Sequence, residues 1–526
     1  MDNKTMPYAF LVVLSAAILI RFLLGPLKTG AYIDEFYHLF SGLHIMEHGT
    51  TAQVYRGSGG YYRGLYVSYL VAFFFNSFGK SIFVARLVPF LVGMMNLLLL
   101  YVLARRITDR IIASFALLIF SLEPLMIFIH TYIREYVFIQ FFAILSLLIL
   151  FYLRRRYLQD GYFSLNKKNI LSIAGLIFFN GICLAFTNSL NKYSAILVVV
   201  LFVILFLLEI NYDRLTSLTH RKKFAILISL LVLAVITAFT FRDIQKVILG
   251  GVFVHGMSLK PGPFSFTGRL LYTYGPFLIL FIIGGSMAWK EKDKELLYLT
   301  SIFLIIYLLY EFSNINWTIE GRFIAFSLPI FFIVASKGIP VLFEGLNRFL
   351  ERFTGPTKFP SNQLFSGFVL MIVLIAALFS AYPAPESDDA PSLPGPPYKD
   401  WGEATSYLRQ HVRRNDTVIS IPAHGAEFSG PKPDYTIMTG DWDYANRTRG
   451  YRDGQLVYLM TGTPVLNSTE ELNKVFNESD RIWIIYSADY LSKWSNDRIV
   501  DFVKNRTTRV KRSKNWVRVQ VLVYQK

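Results

Sequence analysis

The chain has 526 residues, of which 53% are hydrophobic, 16% aromatic and only 17% charged, with a mean hydropathy of +0.42; this balance is too apolar for an ordinary soluble protein. A formal charge of +17 could suit nucleic acid. The basic residues, however, fall in short clusters between apolar runs rather than in one stripe with aromatic stacking partners, so no nucleic-acid partner is expected and the charge is read as a record of membrane topology.

The first apolar run, Tyr8 to Leu24, is long enough to span and carries no small-residue cleavage signal, so it is read as a retained anchor. Further runs begin near residues 82, 111, 136, 170, 193, 224, 270, 295, 323 and 364, making about eleven transmembrane helices. With the N-terminus cytoplasmic, one set of alternate loops collects Arg105, Arg106 and Arg110, then Arg154 to Arg156, Arg221 to Lys223, Lys290 to Lys294, and Arg348 to Lys358. The other set is longer and poorer in basic residues, and the positive-inside rule selects this orientation. The stretch Leu65 to Phe78 is apolar but short for a crossing, so it is expected as an interfacial or re-entrant helix within the long outer loop Gly25 to Lys80. The lone cysteine, Cys183, sits in an apolar run and provides neither a disulfide framework nor a metal cluster.

Residues 1–382 are therefore read as a membrane domain, 383–400 as a proline-rich linker, and 401–526 as a soluble extracytoplasmic α/β domain. In that last domain the sequence predicts a helix from Gly402, a strand at Thr417 (TVISI), and a capping box Ser468-x-x-Glu471 opening a second helix. Strands follow at Arg481 (RIWIIY) and Trp516 (WVRVQVLVY). Five of the eight asparagines after Trp401 begin N-x-S/T: Asn415, Asn446, Asn467, Asn477 and Asn505. That enrichment fits either an external, glycosylated domain or a surface rich in Ser and Thr.

Ionisable groups at membrane edges cost energy unless paired or solvated, and here they gather on the outer loops. The pair Asp34-Glu35 opens GAYIDEFYHLFSGLHIMEHG. There Phe36, Leu39, Phe40, Leu43 and Met46 share one helical face, while Asp34, His38, Ser41 and His48 share the other, which predicts an amphipathic helix on the outer leaflet. Asp34 could equally be a simple N-cap. Arg63, beside Tyr62, and Arg86 lie on the outer side, where an arginine fork can bind phosphate or snorkel to lipid head groups. Glu123, His130, Arg134 and Glu135 occupy the turn between the third and fourth helices, where Glu123 and His130 are expected to be solvated. Lys192 enters the sixth helix, and Glu320 and Arg322 precede the tenth. No HExxH, GxGxxG, P-loop or G-x-S-x-G motif is present, which leaves a carboxylate base with cationic phosphate ligands.

Taken in order, these features resemble the GT-C superfamily, specifically its protein O-mannosyltransferase and aminoarabinose-transferase group, the glycosyltransferase family 39-like enzymes of prokaryotes. The resemblance runs over most of Met1 to Pro340. It rests on Asp34-Glu35, on Phe78-Gly79-Lys80-Ser81 to Arg86-Leu87-Val88-Pro89, and on Leu103-Ala104-Arg105-Arg106. It continues through Arg134-Glu135, Asn191-Lys192-Tyr193 and Arg322-Phe323 to Pro329. It departs at His38, where the family commonly has Tyr, and at Phe323.

The resemblance implies a GT-C fold and an inverting transfer of sugar from a polyprenyl-phosphate donor to an acceptor hydroxyl on the non-cytoplasmic face. Asp34 would be the catalytic base, with Glu35 and Glu135 as supporting acids. Arg63 and Arg322 would contact the carrier phosphate, with Arg86, Arg134 and Lys192 as further candidates, and His38, Tyr62 and Glu320 as candidate substrate contacts. No cofactor is expected beyond the lipid-linked donor, and a divalent metal is left open. The expected partners are membrane lipids and a glycan, lipid or protein acceptor. Three other readings compete: an oligosaccharyltransferase, faintly suggested by Asp441-Trp442-Asp443-Tyr444, a lipid-linked-sugar transporter or flippase, and a membrane-anchored receptor.

Overall fold

The computed structural model describes residues 33–49, 64–153, 265–312, 325–354, 401–439, 448–487, 495–512 and 519–526, with a few single positions at 14–23 and 491. In chain order the elements are α1 (Ile33–His48), α2 (Leu65–Phe78), α3 (Ile82–Ile107), α4 (Arg110–Leu122), α5 (Pro124–Ile129) and α6 (Tyr136–Leu153). Then come α7 (Ser265–Glu291), α8 (Lys294–Phe312) and α9 (Leu328–Thr354). The contacts divide the chain into two compact units that cut across chain order. One holds Met1–Ile20, Leu91–His130 and Glu135–Ala384; the other holds Arg21–Phe90, Thr131–Arg134 and Pro385–Lys526.

The first unit is helical. Leu91, Met95, Leu98 and Val102 of α3 recur at four, three and four residues and are all exposed, while Asn96, Leu97, Leu100 and Leu103 on the other side are buried. An exposed apolar stripe opposite a buried one is the pattern of a helix between protein and lipid. Among the described residues, Ile82–Ile107 and Leu328–Gly345 are long and apolar enough to cross a membrane. The pair α7 and α9 packs through small residues, as membrane helices do. A Cβ on Gly284 would stand 2.0 Å from the Val334 carbonyl oxygen, and one on Gly338 would stand 2.4 Å from that of Leu280. Phe331 of α9 fills the space beside this crossing, stacked on Phe281 at 5.2 Å and 5.0 Å from Phe303. Within α7 the backbone leaves helical geometry at Tyr274, two residues before Pro276. Proline removes an amide donor and crowds the preceding turn, which accounts for the kink.

In the second unit the C-terminal chain adds α10 (Trp401–His411), β1 (Thr417–Ile421), α11 (Ala423–Ser429), β2 (Thr436–Ile437), β3 (Arg449–Arg452), β4 (Gln455–Tyr458) and β5 (Thr463–Leu466). It ends with α12 (Thr469–Glu478), β6 (Arg481–Ser487), α13 (Asp497–Arg506), β7 (Thr508–Arg512) and β8 (Val519–Gln525). One mixed sheet has the order β1-β6-β8-β7 and a second has β2-β5-β4-β3. The expected helix at Gly402, the strands at Thr417 and Arg481 and the closing alternating strand all form. The capping box forms with a one-residue offset. Ser468 caps α12 by accepting from the Glu471 amide, and the Glu471 carboxylate reaches back to the amide of Asn467.

Two expectations change. Part of the expected polar face of α1 is covered: His38 and Ser41 are both fully buried, while His48 at the helix end is exposed. The physical reason is α2, which forms over the expected span and packs against that face. Gly42 lets it approach so closely that an added Cβ would lie 2.6 Å from Val71 Cγ1. The turn of Glu123 and His130 is likewise buried rather than solvated, because α5 folds there and each side chain finds a partner, as described below.

Candidate active site

Asp34 is the second residue of α1 and Glu35 the third; the Asp34 side chain lies outside the described residues. Glu35 is fully buried and meets Arg86, the fifth residue of α3, in a bidentate ion pair. Arg86 Nε donates to Oε1 at 3.2 Å and Nη2 to Oε2 at 2.8 Å. The amide of Ile133, in the turn between α5 and α6, also donates to Oε1 at 3.3 Å. One carboxylate therefore ties three segments, far apart in sequence, to the residue that follows Asp34. Both charges are wholly removed from solvent, and such a pair is tolerated because each partner neutralises the other in fork geometry. The fork of Arg86, expected at a phosphate, is occupied by Glu35.

The other side of α1 is held by the C-terminal chain. Phe36 lies 4.7 Å from the ring of His424 and 6.1 Å from that of Phe428, both on α11. Phe428 also meets Phe40 at 5.8 Å and Phe75 of α2 at 6.2 Å, and Lys80 Nζ sits 4.9 Å above its ring. His424 Nδ1 shares a hydrogen bond with the Tyr458 hydroxyl at 2.9 Å. Beside this cluster, burial pushes the Glu427 carboxyl above its usual value, against the pull of Lys432, the Thr463 and Thr461 hydroxyls and Lys80.

Residues 10–249 match the family model described as dolichyl-phosphate-mannose-protein mannosyltransferase. The fold is similar to that of ArnT from Cupriavidus metallidurans over 98% of both chains at 13% identity. The TM-score is 0.56 for its apo state and 0.57 for the form bound to undecaprenyl phosphate. It is also similar to the oligosaccharyltransferase AglB from Archaeoglobus fulgidus, in complex with an inhibitory peptide and a dolichol-phosphate, with a TM-score of 0.51 at 14% identity over 92% of this chain and 70% of that one. No curated protein sequence matches. The family match thus covers the N-terminal part of the chain, and the fold as a whole resembles those of ArnT and AglB.

The helical unit holds a second buried polar network. Gln140 of α6 is its centre: it accepts from Asn96 Nδ2 at 3.1 Å, bonds His130 Nε2 at 2.7 Å and donates to the Ala325 carbonyl at 2.8 Å. Glu123 caps α5 through the Met126 amide and accepts from the Tyr274 hydroxyl at 2.7 Å, so the kinked residue of α7 is fixed to the α4–α5 corner. The roles of Asn96, Gln140 and Tyr274 were not anticipated from the sequence. Asn96 and Gln140 do carry a signal, since each is an isolated amide in an apolar run, where an unpaired polar group is costly.

Of the remaining sequence candidates, His38 is buried with Nδ1 at 2.9 Å from Ser68 Oγ. Arg134 and Glu135 are buried at the entry to α6. Arg63, Tyr62, Lys192, Glu320 and Arg322 lie outside the described residues, as does Asp441 to Tyr444. Among the described residues no three His, Cys, Asp or Glu side chains form a group that could hold a metal ion.

Proposed function

We propose that this protein is a GT-C glycosyltransferase that moves a sugar from a polyprenyl-phosphate carrier to an acceptor hydroxyl on the non-cytoplasmic side of the membrane, with inversion at the anomeric carbon. The observation that carries this reading is the buried Glu35–Arg86 pair with the Ile133 amide. It joins the Asp-Glu step, the Arg86 segment and the turn before Arg134-Glu135, three of the segments on which the family resemblance rests. Asp34, adjacent to that junction, would take the acceptor proton as the oxygen attacks. The carrier phosphate leaves with the bonding electrons, and Arg63 and Arg322 would stabilise its growing charge. ArnT has been captured with undecaprenyl phosphate and AglB with a dolichol-phosphate, which supports a carrier of the same chemical class here. Glu35 and Arg86 are assigned to positioning, since their charged atoms face each other.

The test is release of polyprenyl phosphate from lipid-linked sugar by purified protein, with and without Asp34→Asn. Loss of the base should cost about a hundredfold or more, with the protein still folded and inserted. Retention of about a tenth of the activity or more would remove Asp34 from the reaction.

A further inference from the structure

We propose that the C-terminal domain carries N-linked glycans clustered on one edge, at Asn415, Asn477 and Asn505. This rests on the extracytoplasmic placement of the domain in the reading above. The distribution of the motif is the first observation. Five of the eight asparagines after Trp401 begin N-x-S/T, against two of the thirteen before it, Asn3 and Asn316. Composition alone does not account for a motif concentrated in one soluble region.

Strand register is the second. Thr417 of β1 pairs with Ile482 of β6, Ile482 pairs with Tyr524 of β8, and Thr508 of β7 pairs with the adjacent Val523. The starts of β1, β6 and β7 therefore share one edge of the sheet. Asn415 lies two residues before β1, Asn477 four before β6 and Asn505 three before β7, and all three are exposed. The hydroxyls of the first two motifs, Thr417 Oγ1 and Ser479 Oγ, are 2.8 Å apart. The opposite end of β1 leads through Pro422 into α11, whose His424 and Phe428 pack on α1. Glycans on the first edge would leave the catalytic helix uncovered. Asn467 is also exposed but sits at the far end of α12, and Asn446 lies outside the described residues.

In each modification the Asn Nδ2 bonds to the anomeric carbon of a lipid-linked oligosaccharide. The bond from that carbon to the carrier phosphate breaks, the phosphate leaves with the electron pair, and the amide proton passes to a base. A separate oligosaccharyltransferase supplies that base and the donor. The exposed position of all three side chains supplies the access such an enzyme needs.

Glycopeptide mass spectrometry on protein purified from its native membranes tests the proposal. Peptides with Asn415, Asn477 and Asn505 should carry a common sugar mass, lost when all three are changed to Gln, while sugar transfer by that variant stays within about twofold of the parent. Unmodified asparagine at all three positions, or modification confined to Asn467, would overturn it. Asp453→Cys, at a side chain 92% exposed, and Lys292→Cys report sidedness with an impermeant thiol reagent in intact cells. Unmodified asparagines with Asp453→Cys labelled refute the glycans alone; unmodified asparagines with only Lys292→Cys labelled refute the placement as well. Asp34→Asn protein should keep the glycans, so a failure of the catalytic assignment leaves this result standing.

Discussion

The Glu35–Arg86 pair makes a prediction whose size follows from its burial. Both side chains are 0% exposed, so Arg86→Met takes the ion-pair partner from a buried carboxylate and Glu35→Leu takes it from a buried guanidinium. Removing one partner of a buried pair costs about 3–5 kcal/mol. Replacing both with apolar residues of similar volume removes the two desolvation penalties together and is close to neutral. What remains is the Ile133 amide, which loses its acceptor at a cost of about 1–3 kcal/mol. The double variant should therefore be more stable than either single variant, with a coupling energy of at least about 3 kcal/mol. Reversible unfolding of the detergent-solubilised protein, followed by loss of helical signal, measures all four corners of the cycle. Polyprenyl phosphate release measured on the same preparations should fall in both single variants and recover in part in the double. Additive single losses, with no coupling, would mean that the two charges are not paired in the folded protein and would refute the junction as the anchor of α1.

Phe428→Ala should lower the rate constant for sugar transfer with little change in donor KM, because the ring wedges α11 against Phe36, Phe40 and Phe75. Phe428→Leu should restore most of it, and equal losses from the remote core change Phe476→Ala would assign the effect to general stability. Asp416 predicts a pH dependence: burial alone would raise its carboxyl, but hydrogen bonds from Arg481, the Arg413 amide and Trp483 hold it below the usual value. Its contribution to stability is then present above the unfolded-state pKa and lost as the pH falls through the folded value. Asp416→Asn should flatten that acid limb in pH-dependent unfolding of the full chain, and an unchanged limb would place the acid sensitivity elsewhere.

Local patterns in the sequence were legible where short-range chemistry decides them. TVISI and RIWIIY become parallel neighbours because β-branched and aromatic runs bounded by polar turns have few other places to go. The span of Leu65 to Phe78 follows from its apolar run, closed by Gly79 at φ 86°. Pairing across the fold was not legible. Glu35 and Arg86 are 51 residues apart, and nothing in either neighbourhood says that this arginine meets an acid rather than a phosphate. The face of α1 was misjudged for a related reason. Helical periodicity places His38 and Ser41 together, but what covers that face depends on Gly42, whose missing side chain admits α2.

Two adjacent carboxylates at the start of one helix need not do the same work. Successive helical positions are about 100° apart around the axis, so a Glu35 drawn inward by Arg86 leaves the Asp34 position on a different sector of α1. Glu35 fixes where the helix begins, and Phe36 fixes which way it faces by meeting α11. The site of the proposed base is then set by its two following neighbours, through segments near residues 86, 133 and 424. With Asp34 as the proposed base, this arrangement would hold it at the start of α1 with the precision of a packed core, which proton transfer over a hydrogen-bond distance demands. In that reading the C-terminal chain would act on the reaction through α1, since the contact of Phe36 with His424 and Phe428 comes from the far end of the chain.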